Sequence, residues 1–192
     1  MEPHELYRVI CDAKYTKGRL DLDYTIFHKD GKMYLLFQST HSALDWAINV
    51  LSSIPLLNRA LGWQTVYFFN CKAIFNELKE CMEKSGCKEA VVAGHSYGGA
   101  IAVYAGIDFI RKTGIKPELV TFGAPKCLLA GITPERHFSS VRQYANRNDL
   151  VAHLPPLFHH VSLIWLGKFS IKELLKVKVW HYEKYFDVDT YK

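Results

Sequence analysis

Gly94-His95-Ser96-Tyr97-Gly98 sets a serine between two glycines, behind a short apolar run at 90–93 and ahead of small apolar residues at 100–112. A serine hydroxyl is a weak nucleophile until a base takes its proton. On a strained strand–turn–helix corner its oxygen stands clear of the backbone, and the flanking glycines avoid collisions with neighbouring elements. The helix N-terminus that follows offers N–H groups and the positive end of a dipole. Both stabilise the oxyanion that forms when the hydroxyl attacks a carbonyl. The N–H of Tyr97 is the natural first donor. Two other chemistries fit less well. A serine that only caps a helix needs neither the buried strand nor the small-residue helix. A phosphate-cradling loop requires a Lys-Ser/Thr pair, which does not follow these glycines.

The elements that must hold this corner alternate between strand and helix signals, the pattern of an α/β layer architecture. Residues 24–28 and 32–37 are β-rich runs around Asp30-Gly31, a strong hairpin signal. Residues 43–50 read as a helix start. Residues 73–85 carry Ile74, Phe75, Leu78, Cys81 and Met82 in a helical stripe that stops at Gly86. Residues 90–93 predict a buried strand, and residues 100–112 a tightly packed helix ended by Gly114. Further strands are predicted at 118–122, 141–145 and 161–166, before an aromatic cluster around Trp180-His181-Tyr182. Gly and Pro are dispersed as turn punctuation, so residues 1–192 read as a single domain without a linker.

The bulk composition narrows the function. Apolar types make up 49% and charged types 22% of the chain, a globular balance that excludes disorder, collagen and coiled coil. The five cysteines are odd in number, scattered and free of any CxxC pair, which argues against zinc ribbons and redox motifs and for reduced thiols. No metal or other cofactor is expected. The net charge is +5, but the basic residues form no dense block with interleaved aromatics, so no nucleic-acid partner is expected. The most basic stretch holds Lys168, Lys172, Lys176, Lys178 and Lys184. It reads as a solvated face or as a weak attraction to anionic lipid. No basic and apolar leader opens the sequence, and no apolar run reaches the roughly 18 residues of a membrane span. The expectation is a cytoplasmic protein in transient, peripheral contact with membranes.

Four blocks, in order, resemble the class 3 lipases, the fungal-type triacylglycerol lipase group of the α/β-hydrolases. Phe37-Gln38-Ser39-Thr40 with Asp45-Trp46 resembles the family's Phe-Arg-Gly-Thr/Ser block and its downstream Asn/Asp-Trp. Residues 94–100 resemble its nucleophile block. Thr121-Phe122-Gly123-Ala124-Pro125 resembles its Thr-Phe-Gly-Ala-Pro block, and residues 148–156 its acid-bearing block. The resemblance implies a minimal, single-domain α/β-hydrolase with a mostly parallel central sheet flanked by helices. It further implies a serine hydrolase that cleaves carboxyl esters, acyl lipids above all. Thioesterases and acyltransferases use the same machinery. A catalytically inactive lipid- or partner-binding module on the same scaffold is the reading from a different class.

Within that resemblance the triad runs Ser, acid, His along the chain. Ser96 is the nucleophile. Asp149 follows the 141–145 strand in a loop closed by Pro155-Pro156, and Asp108, on the helix after the nucleophile, is its rival. Of nine histidines, His181 with Tyr185 four residues on resembles the family's terminal His…Tyr pattern, and it would serve as general base and then general acid. His153 is too near Asp149 to reach Ser96. His159 and His160 fall where the family carries a Tyr-x-His-Val segment that does not hold its catalytic histidine, and His160 is the next candidate. Thr40 occupies the position of the second oxyanion donor beside Tyr97. Gln38 and Ser39 stand where the family has Arg and Gly. Asn49 stands where a carboxylate usually holds the Thr/Ser hydroxyl, and Tyr97 replaces the usual Leu with a bulkier phenol, placed to narrow the pocket or to bond a ligand. Residues 47–63 lie where the family carries a lid, with an acyl pocket bordered by Leu51, Ile54 and Leu57. Leu157, Phe158, Ile164, Trp165 and Leu166 form its other wall or belong to the core. The plainer alternative for 47–63 is helix and loop packed on the core.

Overall fold

A computed structural model of the chain describes residues 1–20, 22–38, 63–129, 134–173, 176–181 and 183–190. Its centre is a sheet of seven strands in the order β1-β2-β3-β4-β5-β7-β9. Strands β1 (Thr16–Lys17), β2 (Asp23–Lys29) and β3 (Lys32–Phe37) run antiparallel to one another. The β2–β3 turn is Asp30-Gly31, with φ of 51° and 75°, the left-handed pair that a two-residue hairpin of matching twist needs. From β3 onward, β4 (Glu89–His95), β5 (Glu118–Phe122), β7 (Ser140–Asn146) and β9 (Leu163–Leu166) are parallel. Strands β6 (Leu128–Leu129) and β8 (Phe158–His159) pair separately.

Side chains alternate across this sheet, and each face builds its own core. Leu35, Phe37, Val92 and Leu119 join helices α2 (Trp63–Ser85) and α3 (Tyr97–Thr113) in one cluster. Tyr34, Leu36, Val91, Ala93, Val120, Phe122 and Tyr144 join Leu6, Tyr7 and Ile10 of α1 (Pro3–Asp12) and Tyr185 of the 3₁₀ segment Glu183–Thr190 in the other. Helix α3 is rich in glycine and alanine on its buried positions, which lets its backbone lie close to the sheet. Two short helices, α4 (Leu150–His153) and α5 (Val177–His181), follow the ends of β7 and β9. Among the described residues no helix is long and apolar enough to cross a membrane.

Three of the elements that depart from the sequence reading have a readable cause. Helix α2 begins at Trp63, ten residues before the expected start at 73. Its buried positions Trp63, Val66, Tyr67, Asn70, Ile74, Phe75 and Leu78 keep one helical stripe throughout, but the exposed Phe68 and Phe69 blur it. Strand β9 starts at Leu163 rather than 161, because the N–H groups of Val161 and Ser162 donate to Gln143 Oε1 instead of a strand ladder. Helix α1 is absent from the sequence reading, although Pro3 in its first turn, the Glu2/Glu5 capping box and the spacing of Leu6, Tyr7 and Ile10 are its signature. The helix start expected at 43–50 lies outside the described residues.

Candidate active site

Ser96 occupies the sharp corner between β4 and α3, with φ 53° and ψ −125°. A non-glycine residue there stores about 1–3 kcal/mol of strain, and the surrounding structure must impose it. Packing imposes it here. A Cβ on Gly94 would stand 2.3 Å from the Gly98 carbonyl oxygen, and one on Gly98 would stand 2.3 Å from that of Gln38. Only bare glycines on both sides let strand, turn and helix close this tightly. The Ser96 side chain makes no capping bond to the helix, so the helix-cap role does not describe it. Instead Oγ–H donates to His181 Nε2 at 2.8 Å. All three residues are buried, Ser96 at 5%, His181 at 2% and Asp149 at 0% exposed.

His181 closes helix α5 and points Nδ1 at Asp149, 2.9 Å from Oδ1 and 2.8 Å from Oδ2. A nitrogen facing two carboxylate oxygens carries the proton, which leaves Nε2 as an acceptor for the serine. Asp149 is fully buried and also accepts from the Val151 N–H at 3.0 Å and the Tyr185 O–H at 2.8 Å. Burial, then the Asp149 charge, hold the Tyr185 phenol well above its ordinary pKa, so it remains a donor. Tyr185 Oη accepts in turn from the Asn146 N–H at 3.1 Å, and Asn146 Nδ2 donates to the Trp180 carbonyl at 2.8 Å. The end of β7 thereby ties together the acid, its tyrosine and the helix that carries His181.

Two supports were not legible as such in the sequence. His95, next to the serine in the chain, is one: its Nε2 lies 2.7 Å from the carbonyl oxygen of His181. A carbonyl only accepts, so Nε2 of His95 carries its proton and the ring clamps the backbone of the histidine beneath it. Tyr7 of α1 packs edge-on to His95, with ring centroids 5.3 Å apart. Gly123 is the second. It takes φ 55°, and a Cβ there would stand 2.8 Å from Asp149 Oδ2 and 3.0 Å from Tyr185 Oη. In the Thr-Phe-Gly-Ala-Pro block the glycine therefore makes room for the carboxylate. Chain order alone does not reveal this, because Gly123 and Asp149 meet only after β5 and β7 pair.

The rival residues are occupied elsewhere. Asp108 accepts from the Tyr67 O–H at 2.9 Å and pairs with Arg111 at 3.4 Å. His160 faces the Ala152 carbonyl at 2.9 Å, and burial lowers its pKa. His153 faces the Arg147 carbonyl and stacks on Trp165. The Tyr97 side chain is buried in the core cluster that also holds Trp63 and Tyr67. Trp63, the last residue of the expected lid, is buried as well, edge-on to Phe158 at 6.5 Å. Thr40, Ser39, Asn49, Leu51, Ile54 and Leu57 lie outside the described residues. Among the described residues, no group of three or more His, Cys, Asp or Glu side chains is placed to hold a metal ion.

A mostly parallel sheet between helices, with a strained serine corner at the end of a central strand, defines the α/β-hydrolase fold. The sequence profile described as lipase (class 3) matches residues 34–159, more than half of the chain. The protein belongs to that family. Solved structures agree on the fold. The triacylglyceride lipase of Rhizomucor miehei superposes with a TM-score of 0.64 at 19% identity, covering 81% of this chain and 66% of that one. A fungal lipase in complex with an inhibitor, described as a model for interfacial activation, reaches 0.70 at 21% identity over the same shares, 81% and 66%. A triacylglycerol lipase whose catalytic centre is described as a serine protease triad gives 0.64 at 20% identity, again over 81% and 66%. The chain thus spans about two thirds of the length of these lipases. No curated protein matches it by sequence.

Proposed function

We propose that the protein hydrolyses carboxyl esters of acyl lipids through an acyl-enzyme at Ser96. The observation that carries this reading is the 2.8 Å contact of Ser96 Oγ with His181 Nε2, on a histidine whose other nitrogen faces buried Asp149. Ser96 Oγ attacks the ester carbonyl carbon while its proton passes to His181 Nε2. Asp149 stabilises the imidazolium and fixes its tautomer. The oxyanion is held by the Tyr97 N–H at the start of α3, with Thr40 as the second donor. Collapse breaks the bond to the leaving alcohol, which takes the proton from His181. Water then attacks the acyl-serine, gives a proton to His181, and the carboxylic acid leaves as Ser96 recovers its hydrogen. The triacylglycerol lipase described as holding a serine protease triad supports the reading by its similarity. Leu51, Ile54 and Leu57 are proposed to border the acyl pocket. All five cysteines are free, which supports a reducing, cytoplasmic setting.

A fluorophosphonate probe and p-nitrophenyl butyrate test this directly. The expected result is one labelled residue, Ser96, and turnover reduced about 10⁴- to 10⁶-fold in Ser96→Ala. Turnover unchanged in that variant would end the reading.

A further inference from the structure

Of ten large apolar side chains exposed among the described residues, six fall between Leu150 and Ile171. They include Leu154 at 54%, Phe169 at 56% and Ile171 at 76% exposed. Residues 147–172 carry three cations, Arg147, Lys168 and Lys172, and one carboxylate, Asp149. That carboxylate is wholly buried, and the next along the chain, Glu173, is paired with Lys176 at 2.9 Å, so the outer surface of this region is net positive. Two segments are stapled into one face. Asn148 Nδ2 donates to the Lys168 carbonyl at 2.9 Å, and the Ser170 N–H donates to Asn148 Oδ1 at 2.7 Å. The Arg147 N–H reaches the Leu166 carbonyl at 3.0 Å, and the Arg147 guanidinium lies over Trp165. The Lys126 N–H reaches the Leu154 carbonyl at 2.7 Å, which seats the far end of the loop against the turn after β5.

Exposed aliphatic and phenyl groups ringed by lysine and arginine fit the boundary between headgroups and acyl chains of an anionic bilayer. Lysine is depleted at protein interfaces, so the same composition argues against a protein partner. The net charge of +5 acts in the same direction at longer range. We propose that this face docks on an anionic phospholipid surface. Leu154, Phe169 and Ile171 enter the interface, and Arg147, Lys168 and Lys172 meet the headgroups. The face is formed by the loop that bears Asp149 and the segment stapled to it. It deepens the hydrolase reading and rests on it, because docking there brings the acid-bearing edge of the site to the lipid.

Sedimentation of the full chain with phosphatidylcholine vesicles, with and without phosphatidylserine, tests the proposal beside turnover of p-nitrophenyl butyrate. Binding is expected only with phosphatidylserine, and it weakens as salt rises. Each lysine removed, in Lys168→Gln and Lys172→Gln, weakens binding about fivefold. Phe169→Ser with Ile171→Ser abolishes binding, and turnover of the soluble ester is retained in all these variants. Equal binding to neutral vesicles, no binding at all, or variants that bind like the parent would overturn the docking face. If turnover persists while binding is absent, only the docking face fails. If binding behaves as expected while Ser96 neither labels nor turns over, only the hydrolase reading fails.

Discussion

The two ends of the parallel strands each hold close pairs of ionisable side chains, and the pairs behave differently because of where water can reach. At the N-terminal ends, Lys32 meets Glu89 across β3 and β4 at 3.0 Å, with side chains 41% and 68% exposed. Glu118 meets Arg142 across β5 and β7, partly exposed at 17% and 34%. At the C-terminal ends, Asp149 and His181 meet at 2.8 Å with side chains 0% and 3% exposed. Contact geometry is similar, yet water screens the first pairs and leaves the last unscreened. A screened pair trims stability. A sealed pair fixes a proton and a ring orientation, which is what general base catalysis needs.

Substitutions at the two ends sharpen that contrast. The largest effect is expected for His181→Ala and Asp149→Asn. The first removes the proposed base, and the second leaves His181 without its orienting charge, lowering kcat about 10⁴-fold. Circular dichroism should show both folded. Activity retained in His181→Ala would move the base to another histidine and dissolve the contrast. Next come the glycines. Gly98→Ala meets backbone oxygens that cannot move aside, and Gly123→Ala meets Asp149 and Tyr185 in a left-handed conformation. Each is expected to lower stability by about 3 kcal/mol in urea unfolding. Gly123→Ala should also depress turnover, because the intruding methyl displaces the acid.

Tyr185→Phe ranks third, with about 2 kcal/mol lost for a hydrogen bond to a buried charge. It also changes the alkaline limb of stability. The folded pKa of Tyr185 is raised, so its contribution is complete below about pH 10 and is lost as the unfolded chain ionises above that pH. Removing the phenol flattens this loss, which urea midpoints across alkaline pH would show. The smallest effect is expected at the opposite end. Lys32→Gln should cost less than about 1 kcal/mol in thermal unfolding and leave turnover untouched. A loss of turnover there would mean that the two ends are coupled through β3 and β4.

Helix α1 and the positioning residues show where sequence reading stops. The strand–glycine–serine–glycine–helix order is local, so the corner at Ser96 was readable from a few consecutive residues. Strands β2 to β5 were readable for the same reason, since alternation and turn chemistry act over neighbours. Ser96, Asp149 and His181 were each nameable as candidates. Their mutual distances were not, because 85 residues separate serine from histidine and 32 separate histidine from acid. Helix α1 carried its own capping signals, but its purpose appears only once Tyr7 lies under His95.

By itself the sequence determined which groups can do chemistry and which local shapes they prefer, because propensity, capping and glycine tolerance depend on near neighbours along the chain. Only the tertiary structure decided which histidine faces the serine, which carboxylate is sealed from water, and why position 123 is glycine. Those outcomes depend on packing two faces of one sheet at once. Hydrogen bonds of about 3 Å across a dry interior form only after distant segments have been brought together.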